Sequence, residues 1–209
     1  GEQNAGKTYL SQYIAGKYFN KRKIYQVNPP DAGSIDINVF GKSIQKVIND
    51  RDDLKVGGKV RSLKDVGKDS VFIFNDIELW WERSKDGLVV IEQILKLINE
   101  YGGRLFFIFN GNIHSFRYIN RLTNFSDSFQ KMLECEPFSA EEIKDIVLFR
   151  HKSTGIKYRI KNTREDDISG WRQARLFSKH FNYSKGNVGV ALNAWISNIH
   201  TVSLRSEEH

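Results

Sequence analysis

The scarcities of this sequence narrow its class before any motif is considered. Its 209 residues contain one cysteine, one methionine and three prolines. A lone Cys135 excludes an internal disulfide framework and fits a reducing compartment. Its expected place is that of a small buried residue on a strand. The five histidines stand at no ligand spacing with Cys135, which argues against a structural zinc. No apolar run approaches the roughly 20 residues needed to span a bilayer, and there is no signal-peptide pattern, so a cytoplasmic location is expected. Internal repeats and low-complexity tracts are also missing. The chain opens with Gly1 rather than Met, as expected of a piece of a longer protein.

Hydrophobic residues make up 40% of the chain and aromatics 12%. That is enough apolar material for one α/β domain and a small appended one. The net charge of +7 is concentrated. Ten Lys/Arg stand against three Asp/Glu between Arg150 and Lys185, so this stretch carries the entire excess.

Periodicity predicts a helix over 9–19, with Leu10, Tyr13, Ile14 and Tyr18 at helical spacing, then a strand over 23–27 ended by Asn28-Pro29-Pro30. An amphipathic helix over 37–49 follows, and a polar loop or hairpin over 51–69 around Gly57-Gly58. The apolar run 71–74 reads as a buried parallel strand. Next come an apolar helix over 88–99, a second buried strand over 104–109 and a third strand over 132–136. Ser139 and Glu142 form a capping box that starts a helix through about His151. Ser169 caps another helix, with Trp171, Ala174, Phe177 and Phe181 along one side. A last helix covers 186–199. Strands alternate with helices up to about residue 136, and helices dominate afterwards. The expected fold is therefore α/β, a parallel sheet with helices on both faces over residues 1–137, followed by a small helical lid over 138–209.

Gly1-Glu2-Gln3-Asn4-Ala5-Gly6-Lys7-Thr8 matches G-x-x-x-x-G-K-[ST] in full. The glycines let successive N–H groups turn inward to form a nest for phosphate oxygens, and the following helix adds its positive end. Gly1, Asn4, Ala5, Gly6, Lys7 and Thr8 are thus candidate ATP contacts. Lys7 is expected to reach the β- and γ-phosphates, and Thr8 to give its hydroxyl to Mg²⁺. Such a loop normally follows a strand. Without one, it is expected to fray and to bind nucleotide weakly.

The strand 71–74 runs into Asn75-Asp76-Ile77-Glu78, the pattern of a Walker B segment. A carboxylate at such a strand end can hold Mg²⁺ through water, and a neighbouring one can polarise the attacking water. Register puts Asn75 at the metal position and Asp76 at the water-activating one. The alternative is Asp76 on the metal with Glu78 as base. Asn110, at the end of 104–109, can orient the lytic water or simply begin the turn before Gly111. Trp80 and Trp81 read as loop core or as a docking surface for a partner domain or DNA.

This order of P-loop, acidic strand end, Asn-tipped strand and capped helix resembles the AAA+ ATPases and their STAND relatives. Pro137–Ile143 followed by Arg150 looks like the entry to the helical lid of origin-recognition-type ATPases, and Gly186–Leu192 like the helix that carries sensor 2. The resemblance implies an ATP-binding, Mg²⁺-dependent switch module that hydrolyses ATP, or an interaction module with little turnover. It also implies self-association, with Arg117 and Arg121 in the window for an arginine finger. The sensor 2 helix of that superfamily usually presents an arginine, and Val188, Gly189 and Val190 supply none. Apart from the resemblance, the basic stripe Arg172, Arg175 and Lys179 suits DNA or an acidic protein partner.

Overall fold

The computed structural model describes residues 5–30, 35–51, 62–84, 86–160 and 163–199. Gly1 and Asn4, and most of the polar loop at 51–69, lie outside the described residues. The chain forms two compact units, one of Lys7–Glu134 and one of Cys135–His209, with which Ala5 and Gly6 are grouped.

The first unit runs α1 (Lys7–Tyr18), β1 (Ile24–Val27), α2 (Ile37–Arg51), β2 (Val71–Phe74), α3 (Val89–Tyr101), β3 (Phe106–Phe109) and α4 (Ile113–Thr123). The strands are parallel in the order β1-β2-β3, in register Ile24 with Val71 and Val71 with Phe106. Side chains alternate across a strand, and this alternation builds two cores. Tyr25, Val27, Phe72 and Phe74 pack with Phe40, Ile44 and Ile48 of α2 and Val90, Ile91, Ile94, Leu97 and Ile98 of α3. Val71 and Ile73 face the other way and pack with Ala15 of α1. Helices therefore cover both faces of the sheet, as the sequence predicts.

Four expectations need correction. The residues of α1 that are buried are Ser11 and Ala15, whereas Tyr9, Leu10, Tyr13 and Tyr18 are exposed. Small side chains let the helix approach β2 closely, and the large ones point to solvent. Next, β3 is not a buried strand. Only β2 is flanked by strands on both sides among the described residues, and all four of its residues are buried; Phe106 of β3 is 42% exposed.

Residues 132–136 form no strand, and Cys135 is half-buried in irregular chain rather than on a strand. Met132 and Leu133 are adjacent, not alternating, and both are exposed. Charged Lys131, Glu134 and Glu136 flank them and Pro137 lacks an N–H, so nothing favours a ladder there. Finally, Trp171 and Ala174 of the Ser169-capped helix are exposed, while Phe177 is buried and Phe181 half-buried. The burial stripe of that helix is narrower than the apolar spacing suggested.

The second unit contains α5 (Ala140–Lys152), short antiparallel strands β4 (Arg159–Ile160) and β5 (Thr163–Arg164), α6 (Gly170–Ser184) and α7 (Val188–Ser197). The capping box on α5 forms as expected, with Glu142 N–H donating to Ser139 Oγ and Ser139 N–H to Glu142 Oε2 at 2.8 Å. Ser139 holds the Glu142 carboxyl below the ordinary range through those bonds. Ile143, Val147, Phe177 and Ala191 form the core of this unit, with Trp195 packed against it. The Trp195 indole N–H donates to His151 Nδ1 at 3.2 Å.

Candidate nucleotide-binding site

The first unit gathers its polar residues at the C-terminal ends of the strands. In an open parallel sheet this is where ligands bind. Asn28 follows β1, Asn75 follows β2 and Asn110 follows β3. Backbone ladders continue into these residues, since Asn75 N–H donates to Val27 O and Asn110 N–H to Phe74 O, each at 3.0 Å.

The side chains then form a chain of their own. Asn75 Nδ2 donates to Asn28 Oδ1 at 2.6 Å. Asn110 Nδ2 donates to Asn75 Oδ1 at 2.6 Å and to Ser11 Oγ of α1 at 3.2 Å. Ser11 Oγ donates in turn to Thr8 O at 2.9 Å. Asn75, Asn110 and Ser11 are all buried. This network ties the first turn of α1, which carries Lys7 and Thr8, to all three strand ends.

Asp76 sits at the turn leaving β2 with φ 49 and ψ 59, the left-handed region. That conformation costs a non-glycine residue roughly 1–2 kcal/mol, less for Asp. Asn110 holds it there: its Oδ1 accepts from Asp76 N–H at 3.1 Å, and its backbone carbonyl accepts from Ile77 N–H at 3.0 Å. The Asp76 carboxylate caps nothing and makes no hydrogen bond or ion pair among the described residues. It is partly exposed, hence available to a ligand.

Glu78 is committed elsewhere. Its Oε2 accepts from Asn112 N–H at 2.9 Å, which pins the loop after β3 to the turn after β2. Gly111 makes this approach achievable, because a Cβ there would collide with the Ile77 side chain. Trp80 is fully buried and donates its indole N–H to Asn75 O at 3.1 Å. Trp81 is half-buried and stacks on Tyr118, with ring centroids 5.1 Å apart. Trp80 is thus loop core.

Gly6, immediately before α1, has φ +80 and open space around it. The backbone conformation, not crowding, is what calls for glycine there. A left-handed residue next to helical ones points successive N–H groups inward as an anion nest. The first turn of α1 contains no acidic residue, so no side chain of that turn offsets its positive end. These features fit a phosphate group. The hydroxyl of Thr8 and the uncommitted carboxylate of Asp76 fit a hard divalent cation, which takes oxygen donors. Asn75 contributes no charge, and both ends of its amide are hydrogen-bonded. The amide of Asn110 is equally engaged, so in this arrangement it positions Asp76 and has no donor left for a water.

Of the residues singled out in the sequence, the network brings together Thr8, Asn75, Asp76 and Asn110, and sequence reasoning missed Ser11 and Asn28, which complete it. Ser11 stands three residues after Thr8, one helical turn on, and that spacing was the available signal. Helix α4 was also missed, although Asn112 accepts from His114 N–H as its N-cap.

No family model and no curated protein matches this sequence. Solved structures do. A point mutant of Thermotoga maritima RuvB matches with a TM-score of 0.53 at 13% identity, over 92% of this chain and 50% of that one. The Walker-type ATPase PabY2304 of Pyrococcus abyssi matches with a TM-score of 0.58 at 13% identity, over 95% of this chain and 61% of that one. The ORC2 protein of Aeropyrum pernix gives a lower TM-score of 0.49 at 10% identity, over 97% of this chain and 61% of that one. The chain therefore spans between half and about three fifths of the structures it matches. With its parallel sheet covered on both faces and a P-loop sequence leading into α1, the chain shares the α/β P-loop fold of the RuvB and PabY2304 structures.

Proposed function

We propose that this chain is the ATP-binding and ATP-hydrolysing switch module of a larger protein, of the AAA+/STAND type. One observation carries the reading: the Ser11–Asn110–Asn75 network fastens the P-loop helix to the strand ends and leaves the Asp76 carboxylate without a partner among the described residues. Gly6 and the N-terminal turn of α1 bind phosphate, Lys7 pairs with the β- and γ-phosphates, and Thr8 gives its hydroxyl to the cation. Mg²⁺ would supply charge neutralisation at the phosphates. Asp76, next to the site and held in position by Asn110, orients the attacking water. Glu78 is the weaker base candidate, because its carboxylate already accepts a backbone bond. Nucleotide state would then set the relation of the helical unit, residues 138–209, to the core. Arg117 and Arg121 are exposed on α4 and would serve a neighbouring copy on self-association.

A second reading is a nucleotide-binding interaction module with little turnover. The neutral Asn75 at the metal position, with both ends of its amide hydrogen-bonded, favours it. The experiment uses a protein with a strand ahead of Gly1, ATP calorimetry and a phosphate-release assay. Lys7→Ala should abolish ATP binding, because Lys7 is the only cation of the motif. Unchanged affinity would sink the P-loop assignment. Asp76→Asn should keep binding and lose most hydrolysis. Turnover near zero in the unmutated protein selects the second reading, and unchanged turnover in Asp76→Asn removes Asp76 from the site.

A further inference from the structure

The solvent face of α6 joins two features that seldom share a helix. At 3.6 residues per turn, Trp171, Arg172, Arg175, Lys179, Asn182 and Tyr183 fall within roughly 120° of arc. All six are exposed, Trp171 by 68% and Tyr183 by 71%. Phe177, His180 and Ser184 occupy the opposite, buried side. The helix contains no Asp or Glu. Trp171 and Tyr183 stand roughly 18 Å apart along the axis at 1.5 Å per residue, with the three cations between or beside them. The Arg175 guanidinium lies 5.5 Å from the Trp171 ring centroid, which orders that ring while leaving its other face to solvent.

Exposing two large rings on one helix is unfavourable in water, since each could bury about 150–250 Å². Three cations with no carboxylate among them repel one another unless an anion lies across them. A linear polyanion with flat apolar faces satisfies both. We propose that this face binds single-stranded nucleic acid, with bases stacking on Trp171 and Tyr183 and phosphates pairing with Arg172, Arg175 and Lys179.

Roughly 18 Å accommodates about five stacked nucleotides at 3.4 Å each. A duplex hides its base faces and would use the cations alone. An acidic protein would draw on the same cations and rings, and competition by polyglutamate distinguishes it from a nucleic acid. The inference is independent of nucleotide binding at the P-loop, and its test contains no ATP.

Anisotropy of a fluorescein-labelled dT15, titrated with the protein at low salt, reads the binding. Trp171→Ala and Tyr183→Ala are exposed helical substitutions, and circular dichroism checks that both variants keep the fold. Each should weaken dT15 binding roughly tenfold, as expected for loss of one stacked base, with the salt slope unchanged. Arg172→Glu/Arg175→Glu/Lys179→Glu should flatten the slope of log K against log salt by about two, at about 0.7 per phosphate contact. Three results would each overturn the proposal: no dT15 binding by the unmutated protein, equal affinity for a duplex of the same length, or full affinity in both aromatic variants. Displacement of dT15 by polyglutamate at equal charge concentration would also overturn it, in favour of an acidic protein partner.

Discussion

Replacing Asn110 with alanine tests the physical basis of the site directly. The amide of this residue donates to Asn75 and Ser11 and accepts from Asp76 N–H. Three hydrogen bonds at about 1 kcal/mol net each give a loss of about 3 kcal/mol. Asn75 Oδ1 and the Asp76 N–H are also left without these partners in a largely buried setting. A stranded buried group costs roughly 1–3 kcal/mol, and water entering from the partly exposed Asp76 side offsets some of that. The expected loss is therefore about 3–5 kcal/mol, a large fraction of the roughly 5–15 kcal/mol that stabilises a domain.

Urea unfolding followed by circular dichroism measures this loss. Hydrogen exchange at the Asp76 amide should accelerate in parallel, because its acceptor is gone. Asn75→Ala removes one of the same bonds, so the double variant should lose less than the sum, with a coupling of about 0.5–3 kcal/mol. Asn110→Asp keeps the acceptor for Asp76 but loses both donors unless protonated. Its buried carboxyl should have a raised pKa, so its stability should fall as pH rises above roughly 4. A loss below roughly 1 kcal/mol for Asn110→Ala, or strict additivity with Asn75→Ala, would refute the network as the element that joins α1 to the sheet.

Asp76→Gly relieves the left-handed backbone and should stabilise the fold by roughly 1 kcal/mol while removing hydrolysis; a destabilised variant would mean that the carboxylate supports the fold rather than the chemistry. Burial lowers the pKa of His180, so the unfolded chain takes up a proton at a higher pH than the folded one. Stability of the helical unit should then be complete above roughly pH 6.5 and fall as pH drops below it. Comparing thermal unfolding of the unmutated chain and His180→Gln between about pH 7.5 and about pH 5 isolates this contribution, and parallel pH profiles would exclude it.

Local pattern alone settled much of this protein. The run Val71-Phe72-Ile73-Phe74 could only be a strand buried on both faces, and it is the central one. Ser139 with Glu142 could be read as a helix start because capping needs only residues within one turn of each other. The P-loop roles proposed for Lys7 and Thr8 rest on a contiguous motif for the same reason. What the pattern could not supply was the choice among faces and partners. The spacing of Leu10, Tyr13, Ile14 and Tyr18 marks an apolar side on α1, yet Ser11 and Ala15 lie against the sheet, because closeness to Val71 and Ile73 favours small residues. Phe106 to Phe109 are as apolar as β2, but burial depends on having neighbours on both sides, and among the described residues β3 has a strand, β2, on only one. Trp171 and Phe177, six residues apart, fall on different sides of α6 at 3.6 residues per turn, and packing in the core of the second unit covers the Phe177 side. The Glu78–Asn112 bond joins residues 34 apart in the chain, and the Asn110–Ser11 bond joins residues 99 apart, at opposite ends of the first unit's chain. Contacts of that length leave no trace in local spacing, since they arise only when the strands align and bring their ends to one edge of the sheet.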